Sequence, residues 1–139
     1  MTPAQIDAVK TSFARVRPVS DQVGAMFYDR LFALDPKLRP LFKGDIASQS
    51  RKLMTTLAVV VDGLDRLDDL VPAVQALGAR HATYGVTDAD YDTVAQALLW
   101  TLERGLGDDF TPATRDAWKD AYTVLATTMK EAAVSPVAG

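Results

Sequence analysis

Apolar residues recur along this chain at intervals of three and four, and no segment sustains an apolar/polar alternation, so the pattern predicts helices and no strands. Pro18, Pro36, Pro40, Gly44, Gly63, Gly85, Gly107 and Pro112 punctuate it into about seven helices. The first runs from about Pro3 to Arg17, with Thr2 as cap, Gln5 as its capping-box partner, and Ile6, Val9, Phe13 and Val16 inward. The second runs from Ser20 or Asp21 to about Ala33 and carries Val23, Phe27 and Leu31 beside Gly24, Tyr28 and Phe32. A short helix follows Asp35-Pro36 and ends near Leu41-Phe42. The next spans about Ile46 to Gly63, with the stripe Ile46, Gln49, Leu53, Leu57, Val60 and Leu64. Leu67 to about Thr83 forms another, with Pro72 near its start and Gly85 placed as a left-handed cap. Thr87 opens a helix that runs to Leu106, with Tyr91, Val94, Leu98 and Leu102 inward. Thr111 and Pro112 open the last, whose stripe is Trp118, Tyr122, Leu125 and Met129. Residues 1–134 read as one domain and 135–139 as a flexible tail.

Two polar residues interrupt these stripes. The only histidine, His81, continues Leu70, Val74 and Leu77 at spacings of four, three and four. An imidazole there needs a partner, since an unpaired buried polar group costs about 2–7 kcal/mol. Periodicity leaves two readings open, a hydrogen-bonded core histidine or a metal ligand. Gln49 sits where the pattern calls for an apolar side chain, and is either partly solvated at a helix start or aimed inward. Gly24, one turn before Tyr28, either permits a close helix crossing or merely weakens its helix.

Composition narrows the chemistry. The 139 residues are 48% hydrophobic and 24% charged, with a net charge of −3, which gives no electrostatic footprint for nucleic acid. There is no apolar run of membrane-spanning length and no signal-peptide pattern, so no membrane contact and a cytoplasmic location are expected. The absence of cysteine excludes disulfides, thiolate metal sites, iron–sulfur clusters and covalent c-type haem attachment. A single histidine excludes zinc sites that need two or three imidazoles. No phosphate-cradling loop or serine–histidine–acid spacing occurs. What remains is an all-helical chain with one imidazole on one apolar wall and two hydrogen-bonding groups, Tyr28 and Gln49, on others. A haem pocket requires that combination.

Several motifs, in order and with matching gaps, carry a family resemblance. They are Gly24-x-x-x-Tyr28-x-x-Leu31-Phe32, Asp35-Pro36 with Phe42, and Gln49-x-Arg51-Lys52-Leu53-Met54. Further along come Leu77-Gly-x-Arg-His81-x-x-Tyr84-Gly85-Val86 and Leu106-Gly-x-x-Phe110-Thr-Pro112 with Trp118. Over roughly residues 5–133 the chain resembles the globins, and is similar to bacterial single-domain globins, flavohaemoglobin haem domains and the neuroglobin-like branch. The resemblance implies an all-α globin fold around noncovalent haem b, with His81 as the iron ligand and Phe42 against the porphyrin. Gln49 holds the distal position and Tyr28 the pocket position one helix earlier. Leu53, Leu77, Tyr84 and Val86 are implied as haem contacts, and Tyr91 as the tyrosine near the proximal imidazole. Lys52, and more weakly Arg80, are candidates for a propionate contact, the alternative for Lys52 being a solvated surface lysine.

A tyrosine hydroxyl and a glutamine amide are donors that stabilise negative charge on bound dioxygen. The pair is similar to that of flavohaemoglobins, which convert nitric oxide to nitrate. The implied function is a globin that binds dioxygen tightly, releases it slowly and acts as a nitric oxide dioxygenase with an external reductase. Nitrite reduction is a side activity, and carbon monoxide a further diatomic ligand. The alternative is a noncatalytic oxygen storage, scavenging or sensing globin. With no second histidine, no bis-histidyl haem is expected, and the expected state is a monomer or weak homo-oligomer. The chain departs from the flavohaemoglobin pattern where an acidic partner is expected late in the last helix. Ala133 falls there, and Glu131 lies about 200° around the helix from it.

Overall fold

The computed structural model describes residues 1–42, 45–83 and 86–134. Its α-helices are α1 (Pro3–Val16), α2 (Ser20–Leu34), α3 (Ile46–Asp62), α4 (Leu67–Thr83), α5 (Asp88–Leu106) and α6 (Pro112–Val134). No strand occurs among the described residues. The short helix expected after Asp35 is a 3₁₀ segment, Pro36–Leu41, because Pro40 within it has no N–H to sustain an α-helical ladder. Further 3₁₀ turns, Arg17–Val19, Leu64–Arg66 and Gly107–Asp109, join successive helices. Gly85 and the tail at 135–139 lie outside the described residues.

The helix starts follow their side chains. Thr2 and Gln5 cap α1 reciprocally, and Thr87 and Asp90 do the same for α5. Asp45 accepts the Ser48 N–H at 2.7 Å to open α3, and Thr111 accepts the Thr114 N–H to open α6. Helix α5 ends at Gly107, whose φ of +57° favours a residue without a Cβ.

The most extensive contacts join α4 to α6, α2 to α5 and to α3, and α1 to α6. The buried apolar residues fall into two clusters. The larger includes Val9, Phe13, Val16, Phe27, Tyr28, Leu31, Leu98, Leu102 and Trp118. The smaller is Val74, Tyr91, Ala126 and Met129. In the larger cluster Trp118 Nε1 donates to Ser12 Oγ at 2.8 Å, and Ser12 Oγ donates to the Ala8 carbonyl. That satisfies a buried polar pair between α1 and α6 that the apolar pattern did not reveal.

Helix α3 differs from the expected stripe in an informative way. Its buried residues are Ser50, Met54 and Val61, one position off the stripe. Of the expected stripe, Ile46, Gln49, Leu53, Leu57 and Val60 are half-buried, and Leu64, in the 3₁₀ turn that follows, is buried. On α4 the stripe is split: Val74 is buried, as is Gly78 off the stripe, while Leu70, Leu77 and His81 are half-buried.

Candidate functional site

One wall is built where α2 and α3 cross. A Cβ on Gly24 would lie 2.7 Å from Ser50 Cβ, so the helices approach as closely as glycine allows. That crossing brings Tyr28, one turn after Gly24, beside Gln49 in the first turn of α3. The Tyr28 hydroxyl lies 3.5 Å from the Gln49 carbonyl oxygen, long enough to be a weak bond. Burial pushes the Tyr28 phenol up to about 12, so it is a protonated donor at neutral pH. Its ring is held by Phe27 at 5.0 Å, Phe42 at 5.3 Å and Phe32 at 5.9 Å between centroids. Phe42 is half-buried and edge-on to Phe32 and Tyr28, and the Arg39 guanidinium donates to its carbonyl at 2.9 Å. Leu53 lies one turn after Gln49, half-buried against the larger cluster.

A second wall lies on α4, seated on α6. A Cβ on Gly78 would lie 2.6 Å from Met129 Cα and closer still to the Met129 carbonyl oxygen, so this seat is backbone against glycine. His81 follows within one turn. Its Nδ1 lies 2.8 Å from the Leu77 carbonyl oxygen. A carbonyl can only accept, so Nδ1 carries the proton and the imidazole lone pair resides on Nε2. Burial, the largest influence, pushes the His81 pKa below its usual value and favours the neutral ring that a metal ligand must be. The Tyr91 ring is stacked near the imidazole, with centroids 6.5 Å apart and planes 27° from parallel. Tyr91 is itself fixed through its backbone, whose carbonyl accepts the Tyr122 hydroxyl at 2.7 Å. Leu77 and Val86 pack against the same cluster, half-buried.

Tyr28, Phe42, Gln49 and Leu53 thus belong to one wall, and Leu77, His81, Val86 and Tyr91 to the other. Among the described residues α3 and α4 share no extensive face. Each offers a half-buried apolar row beside a fully buried one. A flat apolar group laid against both rows would cover side chains that the protein alone leaves half-covered, at about 25 cal/mol per Å² of apolar surface. The donor set fits haem: one imidazole with its Nδ1–H fixed by a backbone acceptor, half-buried apolar faces, and a protonated phenol on α2. Lys52 and Arg80 are exposed, and Tyr84 lies outside the described residues. Periodicity did not single out Gly78 or Ser50, and gave Tyr122 only as an inward residue of the last helix. A glycine within one turn of the only histidine was the one available signal for the first.

The family model described as Globin matches residues 25–129. A flavohemoprotein of Bacillus subtilis (strain 168) is 28% identical over 126 residues, which are 87% of this chain and 31% of that protein. The chain therefore spans about a third of the length of that curated relative. No helix among the described residues is long and apolar enough to cross a membrane.

Proposed function

The chain belongs to the globin family, and we propose that it holds haem b through His81, binds dioxygen with slow release, and acts as a nitric oxide dioxygenase served by a separate reductase. When bound, haem supplies the iron at which diatomic gases react. The chain's own residues do the rest. Leu77 orients the His81 ring by accepting its Nδ1 proton. Tyr91 limits the ring's rotation from the side. Phe42, Leu53, Leu77 and Val86 present apolar surface that excludes water.

The observation that carries the gas chemistry is the placement of Tyr28 against Gln49. The Tyr28 hydroxyl is protonated, and its contact with the Gln49 carbonyl, at 3.5 Å, is weak. Turning that proton to a polarised ligand therefore sacrifices little. The side-chain amide of Gln49 is the second donor. Each such bond contributes about 0.5–1.5 kcal/mol, more to a charged acceptor. Two together would slow dioxygen release by roughly ten- to a hundredfold, at 1.4 kcal/mol per decade. Slow release disfavours delivery and favours reaction of the held gas with nitric oxide.

Stopped-flow displacement of dioxygen by carbon monoxide tests this. Tyr28→Phe is expected to raise the off-rate about tenfold, and an unchanged rate contradicts the donor role. Steady nitric oxide consumption with a reductase present supports the enzyme, whereas a single stoichiometric reaction supports the noncatalytic storage or sensing alternative.

A further inference from the structure

The proximal side carries a charge that the family resemblance did not anticipate. The Lys130 ammonium lies 5.4 Å from the centre of the Tyr91 ring, within cation–π range. Lys130 is half-buried on α6, one position after Met129. Tyr91 in turn stacks near His81. The Tyr91 ring thus neighbours both groups, and the two separations laid end to end keep the ammonium within about 12 Å of the imidazole centre. No carboxylate among the described residues pairs with Lys130 within 4.0 Å, and Glu131 beside it is exposed. The carboxylate whose field reaches the Tyr91 phenol is Asp88, exposed at the start of α5 and so screened by solvent. The acceptor on His81 Nδ1 is the Leu77 carbonyl, at 2.8 Å.

We propose that Lys130 is a positioning residue that makes His81 a weaker electron donor: it holds a positive charge over Tyr91 and thereby favours the reduced state of a metal bound to His81. The proposal rests on the haem reading above. A cation stabilises the less positive of two redox states, so the ferrous form gains. At an effective dielectric of about 40 and the separation given, the Coulomb interaction corresponds to roughly a threefold change in the ferric–ferrous equilibrium. The consequence is an iron that an external donor reduces more readily and that holds its gas-binding state longer.

The test is a spectroelectrochemical titration of the haem-loaded protein, joined to resonance Raman measurement of the iron–histidine stretch in the ferrous form. Lys130→Met keeps the stem and removes the charge. It is expected to shift the equilibrium about threefold toward ferric and to raise the stretching frequency. Lys130→Glu should shift both further in the same direction, to about tenfold. Lys130→Arg should restore the wild-type values. Equal values in wild type and Lys130→Met overturn the proposal, as does an arginine variant that behaves like methionine, since packing and not charge would then be at work. A wild-type chain that acquires no Soret band on haem addition overturns the haem reading, and this inference with it, before any titration begins.

Discussion

Substituting Gly78 with alanine probes the seat on which His81 depends. The added Cβ would lie 2.6 Å from Met129 Cα and 2.8 Å from its carbonyl carbon. Carbon atoms pack at about 3.5–4.0 Å, so α4 must lift from α6 by about an ångström. The opposing atoms are backbone, and no side-chain rotation relieves them. Overpacking of this kind costs about 1–3 kcal/mol, against which alanine's better helix propensity returns about 0.5–1. Gly105 in α5 provides the control, since a Cβ there meets nothing nearer than Val16 Cγ1 at 3.5 Å, an ordinary contact. Gly105→Ala is therefore expected to stabilise by about 0.4–1 kcal/mol, mostly through the unfolded chain. Thermal unfolding followed by circular dichroism at the helix band compares the two. Gly78→Ala should melt several degrees below wild type and Gly105→Ala slightly above, at roughly 2–8 °C per kcal/mol for domains bracketing this size. The displacement should also move His81, so Gly78→Ala should bind haem more weakly, whereas Gly105→Ala should not. A Gly78→Ala protein that melts with or above the glycine control refutes the close-seat account.

Ser12→Ala should be more disruptive than its size suggests, because it leaves the buried Trp118 indole N–H without its acceptor. A loss of about 1–3 kcal/mol is expected from the urea midpoint at constant m. Alkaline titration should show the Tyr28 phenol ionising late. Its folded pKa, about 12, lies above the unfolded value of 10, so the unfolded chain loses this proton first as pH rises. The contribution of Tyr28 is therefore complete below pH 10 and lost as pH rises through about 12. Tyr28→Phe should flatten that loss in urea midpoints measured across the range, and an unchanged slope counts against the burial argument.

Much of the scaffold was legible because helices announce themselves by period and by caps. The bounds of α4, the capping boxes at Thr2 and the opening of α6 at Thr111 follow from residue types at fixed spacing. The stripe on α3 was legible as apolar, but its period does not say whether core or cofactor covers it. Hydrophobicity marks surface that must be covered without saying what covers it, so Leu53 and Leu57 read like core while Ser50 carries the closest contact with α2. Glycine has no hydropathy signal, so Gly24 can be read two ways and nothing in the apolar period marks Gly78. The Ser12–Trp118 bond and the Lys130 ammonium depend on pairing across helices far apart in sequence, which a single-helix period does not encode.

The claim on which the rest depends is that His81 ligates haem iron in a pocket with no second imidazole. The direct test is the absorption spectrum of the purified chain after addition of one equivalent of ferric haem, taken beside His81→Gly with and without free imidazole. The account predicts a stoichiometric Soret band without low-spin bis-histidine features in wild type, its loss of normal ligation in His81→Gly, and its recovery when imidazole enters the vacated space. A His81→Gly spectrum indistinguishable from wild type, or a bis-histidine ferric spectrum from a monomer, would contradict it.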